Sequence, residues 1–499
     1  MKFDLWMQDQ DVYVMPGPLS VDVQVEHVTC NSSEVRSGWA FAALKGERND
    51  GANFIPEALS SGAAVILCDR DLTNPLPVPF ARMCDGRSTM ALLARKLYGR
   101  PDLDIPVIGV TGTNGKTTTT TIIRQLMRLS GYGCGLIGGV VNAIGNREQV
   151  SINTTPDSPT FYRLLRQSLC MRDEAVAVEV SSHGLTSSRV HGAQFKVGVF
   201  TNLTQDHLDF HCDMESYFQA KLKLFLQCKT GLINIDDPFG RRILADGDFV
   251  SYGVDHCAHY CASDLVLSST GTSFRLATPT GNWMVHSPLL GKFNVYNLLA
   301  ALAALSEAGF SISILSKAIP QITGAMGRLD RVDCGQPFGI LVDYAHTPDA
   351  VEKLLVEGRR MLSCSHGRLH VLFGCGGDRD RSKRPMMARV VASGADIIWH
   401  TSDNTRWEDP ESIVDDAANG IPVGIRLDTA RYHRILDRAT AVSAAIHDCL
   451  PGDLLLLIGK GHEPYQEVMG VKHVYSDRKI AEDVLCTMFF DLYTKKATK

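Results

Sequence analysis

Along this 499-residue chain, short apolar runs of strand length alternate with segments whose apolar positions recur every three or four residues. In the first hundred residues the run 63–67 reads as a strand and 89–98 as a helix. Gly99-Arg100-Pro101 stops that helix, and the Pro-rich stretch 74–79 is a loop. A second unit opens with the run 105–110, a Gly/Thr/Asn turn, and a helix with Ile122, Ile123, Leu126 and Met127 on one face. Further strands are expected at 175–180 and 197–200. A helix over 295–307 with Gly309 as its C-cap precedes the turn 324–328. From Leu329 onward strands are expected at 339–342, 369–373, 397–399 and 454–458, with helices between them. Strands alternating with helices predict mainly parallel sheets covered on both faces, and so an α/β fold. Boundaries fall near 103 and 328, giving three domains: 1–103, 104–328 and 329–499.

Composition narrows the functional classes. Lys+Arg 50 against Asp+Glu 55 leaves a net charge of -5, which argues against a dedicated nucleic-acid or anionic-membrane binder. No stretch approaches about 18 unbroken apolar residues, so membrane insertion is not expected. The opening MKFDLWMQDQD lacks an apolar core and does not read as a secretory signal. The 14 cysteines are scattered without a C-x-x-C, as buried thiols of a cytoplasmic protein would be. His256, Cys257, His259 and Cys261 crowd into six residues. An extended segment points alternate side chains to opposite faces, so no zinc site is expected there.

The strongest chemical signal is Thr111-Gly112-Thr113-Asn114-Gly115-Lys116-Thr117-Thr118, set between a predicted strand and a predicted helix. Glycines let backbone N–H groups approach phosphate oxygens, and the helix N-terminus adds partial positive charge. Lys116 can reach the β/γ-phosphates and the Thr117 hydroxyl can hold Mg²⁺. Val110 stands where the strict Walker pattern has Gly, so this is a variant loop. Glu179 and the Asp206-His207 pair sit near two later strand ends. In an open parallel sheet these face the same crevice as the loop.

TGTNGKTTTT, EVSSHGL, TNLTQDHLDFH, YFQAKLKLF, GKFNVYNLLAA, DYAHTPD, FGCGGDRDRSKRP, SDNTRWEDP and IGKGHEPYQ occur in that order between Thr111 and Gln466. Together they resemble the Mur ligase family, and VTCNSSEVRSGWAFAALKG resembles its uridine-nucleotide domain. The resemblance implies a central P-loop ATPase-type parallel sheet and a Rossmann-like C-terminal domain. It implies ATP-driven amide formation in peptidoglycan precursor synthesis, through an acyl phosphate, with ATP and Mg²⁺. The branch resembled adds a diamino acid to a UDP-N-acetylmuramoyl-dipeptide, and a cytoplasmic monomer is expected.

The resemblance also implies roles for individual residues. Thr113, Asn114, Gly115, Lys116, Thr117 and Thr118 would bind ATP. Asn294 and Asn297 would lie on the adenine side, with Arg328 and Asp343 contacting ATP on domain closure. Thr117, Glu179, His207 and Lys221 would serve the metal, Lys221 as a carbamylated lysine. A carbamate turns a cation into an anion that supports a second Mg²⁺. Lys223 is the second choice. Cys30, Ser32 and the turn 46–49 would meet the uridine. Asn153, Thr154, Thr155, Ser181, Ser187 and Arg189 would meet the muramoyl-dipeptide. Asn31-Ser32-Ser33 stands where the family usually has Asp-Ser-Arg, so a local ion pair is expected to be absent.

For the amino acid, Asp403, Asn404, Thr405 and Arg406 replace Asp-Asn-Pro-Arg of the meso-diaminopimelate-adding members, and Arg384, Gly459 and Glu463 match that branch as well. Glu408 and Asp409 stand nearby, so charge alone leaves L-lysine open. A folylpolyglutamate synthetase would leave the N-terminal unit unexplained. A nucleotide switch or motor would leave the DNTR and GKGHE segments without a task.

Overall fold

The computed structural model describes residues 1–8, 10, 12–15, 23–46, 49–72, 74–268, 271–363 and 367–497. Among them, sheets of five, eleven and six strands follow one another along the chain. In the first sheet the fully buried strand Val65–Cys68 realises the predicted run. It pairs in parallel with Trp39–Ala43 and Phe80–Met83. Helix Gly86–Leu97 starts three residues before its expected position and stops before the predicted breaker. Its buried face shares one apolar cluster with Phe3 and Trp6, with Val107 and Val178 of the next sheet, and with Phe161 of helix Ser158–Cys170. The junction is tied by buried Asp102, which accepts Arg95 Nη2 at 2.9 Å and the Gln194 amide at 3.0 Å.

The middle sheet is parallel at its centre. Strand Val107–Thr111 lies between Ala175–Glu179 and Phe195–Phe200, with Glu179 beside Val110 and Phe200 beside Thr111. The two strand ends expected to flank the phosphate loop therefore do so. Its margins differ from the expected parallel sheet. Tyr260–Ser268 joins one side in parallel and opens an antiparallel meander with Gly271–Thr278 and Gly281–Ser287, and Val141–Ile144 with Arg147–Val150 closes the other edge antiparallel. These strands keep exposed residues, with Val285 and Ser287 buried and Met284 and His286 exposed in Gly281–Ser287 and all of Arg147–Val150 exposed, so no continuous apolar run marks them. Helix Lys292–Glu307 packs Val295, Leu298, Leu299 and Leu302 into the same core as Ile122, Ile123, Leu126 and Met127 of helix Lys116–Leu129.

The third sheet carries the four predicted strands as Gly339–Asp343, Leu369–Phe373, Ile397–His400 and Leu454–Ile458, with Leu454–Ile458 central between the first two. Tyr432–Arg434 adds a parallel edge and Asp330–Val332 an antiparallel one. Helices Pro348–Leu362 and Lys383–Gly394 bury their apolar residues in one cluster, and Arg438–Asp448 and Asp477–Ala497 in another, so both faces are covered. A hairpin of Tyr465–Val468 and Val471–Val474 follows this sheet.

Candidate active site

The chain leaves buried strand Val107–Thr111 through Gly112–Gly115 and enters helix Lys116–Leu129. Gly112 has φ +147°, and a Cβ there would lie 1.9 Å from Thr201 Oγ1. The loop is fixed to the next strand end, where the Thr113 amide donates to Asn202 O and the Asn114 amide to Asn202 Oδ1, both at 2.9 Å. Lys116 Nζ folds back onto the loop and donates to Gly112 O and Thr113 O, each at 2.9 Å. Burial lowers its pKa, against the raising charges of Glu179 and Asp206.

Thr117 Oγ1 donates to Glu179 Oε2 at 2.8 Å, and Gly139 N donates to Glu179 Oε1 at 2.8 Å. A hydroxyl and a carboxylate thus converge at the helix N-terminus. This all-oxygen pair suits Mg²⁺, which takes one or two protein ligands and fills its shell with phosphate and water. Lys221 is 1% exposed and donates to Gly112 O at 2.8 Å, with its Nζ 4.4 Å from the Tyr217 ring centre. Burial and then the Lys116 charge hold its pKa well below the usual lysine range. His207 adopts φ +52°, its Nε2 3.4 Å from Asp206 Oδ2, and burial pushes its pKa down to about 4. Lys383 of the third unit reaches across to Asp206 Oδ1 at 3.1 Å. Burial would raise Asp206, but the charges of His207, His346 and Lys383 hold it at about 2.

Asn294 and Asn297 are buried behind the loop. Asn297 Nδ2 donates to Asn294 Oδ1 at 3.0 Å, Asn294 Nδ2 to Leu290 O at 2.9 Å, and Asn297 Oδ1 accepts Thr119 Oγ1 at 3.4 Å. Asp343 spends both carboxylate oxygens on backbone amides, of Leu329 at 2.7 Å and Ala345 at 2.8 Å. It ties the junction of the second and third units. Arg328 lies over the Tyr344 ring at 4.7 Å.

A cavity of about 470 Å³ opens between the first and second sheets, lined by Cys30, Ser32, Asn153, Ser187 and Arg189 among others. Gly46 and Asn49 line it too, while residues 47 and 48 of the predicted turn lie outside the described residues. Asn31 caps the short turn Ser32–Glu34 through its own side chain, which accepts the Ser33 amide at 3.2 Å. Thr155 is fully buried. Its hydroxyl bonds Glu179 O at 2.8 Å and Ser181 Oγ at 3.0 Å, and its carbonyl accepts Arg189 Nη1 at 2.6 Å. Thr155 therefore braces Ser181 and Arg189 from below. Thr154 sits beside Gly139, its Oγ1 3.2 Å from where a Cβ would be.

In the third unit Asp403 to Thr405 are buried at the end of strand Ile397–His400. Asn404 Nδ2 donates to Glu463 Oε2 at 2.8 Å. Gly459 has φ +103°, and a Cβ there would meet Asp403 Oδ2 at 2.9 Å. Arg406, at φ +51°, donates from Nη1 to Gly377 O at 2.6 Å. Its backbone joins the hairpin through Arg406 N to Glu467 O at 3.0 Å. Arg384, matched to the amino acid by resemblance, is 2% exposed. It forks onto Glu408 at 2.7 and 3.1 Å and onto Asp416 at 2.8 Å, so it scaffolds the segment from behind.

Three family models match the chain: "Mur ligase family, catalytic domain" over residues 24–79, "Mur ligase middle domain" over 110–305 and "Mur ligase, glutamate ligase domain" over 327–461. A relative from Geobacillus kaustophilus, a UDP-N-acetylmuramoyl-L-alanyl-D-glutamate--2,6-diaminopimelate ligase, is 42% identical over 90% of this chain and 93% of its own length. The chain belongs to the Mur ligase family. A Mur relative of the same name from Syntrophomonas wolfei is 38% identical over 97% of this chain and 99% of its own. A solved structure of a ligase bearing that name superposes with a TM-score of 0.65 at 32% identity, covering 95% and 98% of the two chains. A MurF ligase from Thermotoga maritima in complex with ADP shares the fold, with a TM-score of 0.63 at 18% identity over 95% and 100%.

Within this Mur ligase, sequence reasoning passed over Lys460, Lys383, Tyr217 and Thr155's bracing role. Lys460 and Lys383 stood inside quoted motifs. Their type gave no sign of burial, because an isolated lysine reads as solvated.

Proposed function

We propose that this ligase joins meso-diaminopimelate to UDP-N-acetylmuramoyl-L-alanyl-D-glutamate, driven by ATP and Mg²⁺. The proposed division of labour is uridine binding by 1–103, ATP by 104–328 and amino acid by 329–499. The substrate carboxylate attacks the γ-phosphorus of ATP, giving an acyl phosphate and ADP. The incoming amine then attacks the acyl carbon, inorganic phosphate leaves, and an amide forms. A free carboxylate is a poor electrophile, so catalysis rests on positioning three substrates and neutralising phosphate charge.

Lys116 and the amides of Gly115 to Thr118, in the loop that Thr113 and Asn114 fasten to Asn202, cradle the phosphates. Thr117, Glu179 and His207 are the proposed metal residues, and bound Mg²⁺ would neutralise phosphate charge. Lys221, with its amine held below the usual range, is proposed to take up CO₂ as a carbamate and release a proton. Asn294, Asn297, Arg328 and Asp343 are proposed to frame the nucleotide. Cys30, Ser32, Asn153, Thr154, Ser181, Ser187 and Arg189 are proposed to line the path of the UDP-sugar peptide. We assign the reaction to the cytoplasm and to a monomer. No helix among the described residues is long and apolar enough to cross a membrane.

One observation carries the choice of amino acid. Glu408 and Asp409 are both engaged: Glu408 by Arg384 and Arg381, Asp409 by capping the Ser412 amide at 3.1 Å. Glu408 is thus already paired with two arginines and Asp409 has one oxygen on a backbone amide, which favours a carboxylate-binding role for Arg406 over capture of a lysine ammonium by these acids. A ligation assay tests this, offering the UDP-muramoyl-dipeptide, ATP, Mg²⁺ and each candidate amino acid. Tripeptide product with meso-diaminopimelate and little with L-lysine is expected. The reverse preference would overturn the assignment.

A further inference from the structure

Lys460 is fully buried, and its ammonium is taken up by side chains of the third unit. Nζ donates to Asn404 Oδ1 at 2.7 Å and to Glu463 Oε2 at 2.8 Å, and lies 3.6 Å from Asp403 Oδ1. Lysine is a donor with no acceptor atom, so this contact requires the oxygen of Asn404 to face it. The Glu467 amide, donating to the same Asn404 oxygen at 2.9 Å, makes the same demand. The Asn404 amide nitrogen is thereby turned onto Glu463 Oε2 at 2.8 Å. Two donors hold Glu463 Oε2, while Oε1 keeps a long contact of 3.5 Å from the Tyr344 hydroxyl. The carboxylate is locked in rotation, with one oxygen held by its own scaffold and the other turned away from it.

We propose that Lys460 is a positioning residue for the incoming amino acid. It neutralises the Asp403–Glu463 pair and aims Glu463 Oε1 at the ammonium of the diamino acid. The inference rests on the proposed function, and it adds a role for a residue that does not itself touch substrate. Without Lys460 the Asp403 and Glu463 carboxylates would lose the cation that both approach, and Glu463, freed from one of its two donors, would turn aside. That rotation withdraws the acceptor from the amino acid while leaving the phosphate loop and the dipeptide path, on other units, intact.

The test measures KM for all three substrates in wild type, Lys460→Met, Glu463→Gln and the double variant, with Lys460→Gln as a milder change if the methionine variant misfolds. KM for the amino acid should rise at least tenfold in Lys460→Met, with KM for ATP and for the dipeptide within twofold. The double variant should be no worse than Glu463→Gln alone, because Lys460 acts through Glu463. A twofold or smaller change in the amino-acid KM would overturn the proposal. So would an equal rise in all three constants, or additive effects in the double variant. The assays use whichever amino acid the wild type ligates. A wild type that prefers L-lysine corrects the proposed substrate and leaves the Lys460 test in place, whereas one that ligates no amino acid overturns both.

Discussion

Thr117 Oγ1 and Glu179 Oε2 lie 2.8 Å apart across 62 residues of chain. The contact exists because strand Val107–Thr111 pairs with Ala175–Glu179 in a register that sets Glu179 beside Val110. The helix N-terminus then carries the hydroxyl to the carboxylate, and the two oxygens are the proposed ligands of a phosphate-bound cation.

Lys116→Ala should lower kcat about a thousandfold, or about 4 kcal/mol of barrier, while the melting temperature moves little. Its ammonium bonds the loop's own carbonyls, which water can satisfy in its place. Steady-state ligation together with a thermal melt checks both halves. Activity within tenfold of wild type would remove Lys116 from the phosphate site.

Lys221 should carry a carbamate. Protein equilibrated with ¹³C-bicarbonate is expected to give one slowly exchanging carbamate resonance that is missing in Lys221→Arg. Loss of activity should accompany it. A fully active Lys221→Ala, or a spectrum lacking that resonance, counts against the modification.

The Arg406→Ala variant should lose the preference for meso-diaminopimelate over L-lysine. A guanidinium pairs with a carboxylate through two parallel hydrogen bonds, and a site built on such a contact rejects an analogue lacking it by about 10⁴. The ratio of kcat/KM for the two amino acids, before and after substitution, decides it. An unchanged ratio would assign selectivity elsewhere. Thr405, in place of the family's Pro, leaves Arg406 to be held by Gly377 and the hairpin.

Glu408 gives a pH prediction. Hydrogen bonds from Arg384, and then from the Asp378 amide, hold its carboxyl at about 2 instead of its ordinary 4.5. In the acid range the unfolded chain binds the proton that the folded chain refuses, so stability rises with pH. The contribution is complete above the ordinary value and is lost as pH falls through the folded one. The gap in urea midpoint between wild type and Glu408→Gln should therefore narrow from about pH 5 to about pH 3. A constant gap would show that the Arg384–Glu408 pair does not set the ionisation.

Unit closure is open to scattering. Lys383 bonds Asp206 at 3.1 Å and Asp343 ties the junction, so the third unit already touches the second. Adding the full substrate set should contract the particle further, since ATP and amino acid are proposed on different units. Identical curves with and without substrates would contradict this.

The sequence by itself determined the strand–loop–helix of the P-loop, because apolar runs and helical periodicity are local and survive without neighbours. It likewise determined the four main strands of the third sheet and the set of motifs. It did not reveal the antiparallel margins, whose strands keep exposed residues and so give no continuous apolar run. Nor did it reveal the burial of Lys460 and Arg384. A lysine or arginine is read as solvated until folding surrounds it, and these two are buried by strands and helices far apart in the chain. Sequence placed Asn404, Glu463 and Arg406 in one functional group by resemblance. Tertiary structure alone decided that Lys460 joins Asn404 to Glu463 and that Arg384 stands behind Glu408, because hydrogen-bond partnership depends on distance in space and not on separation along the chain.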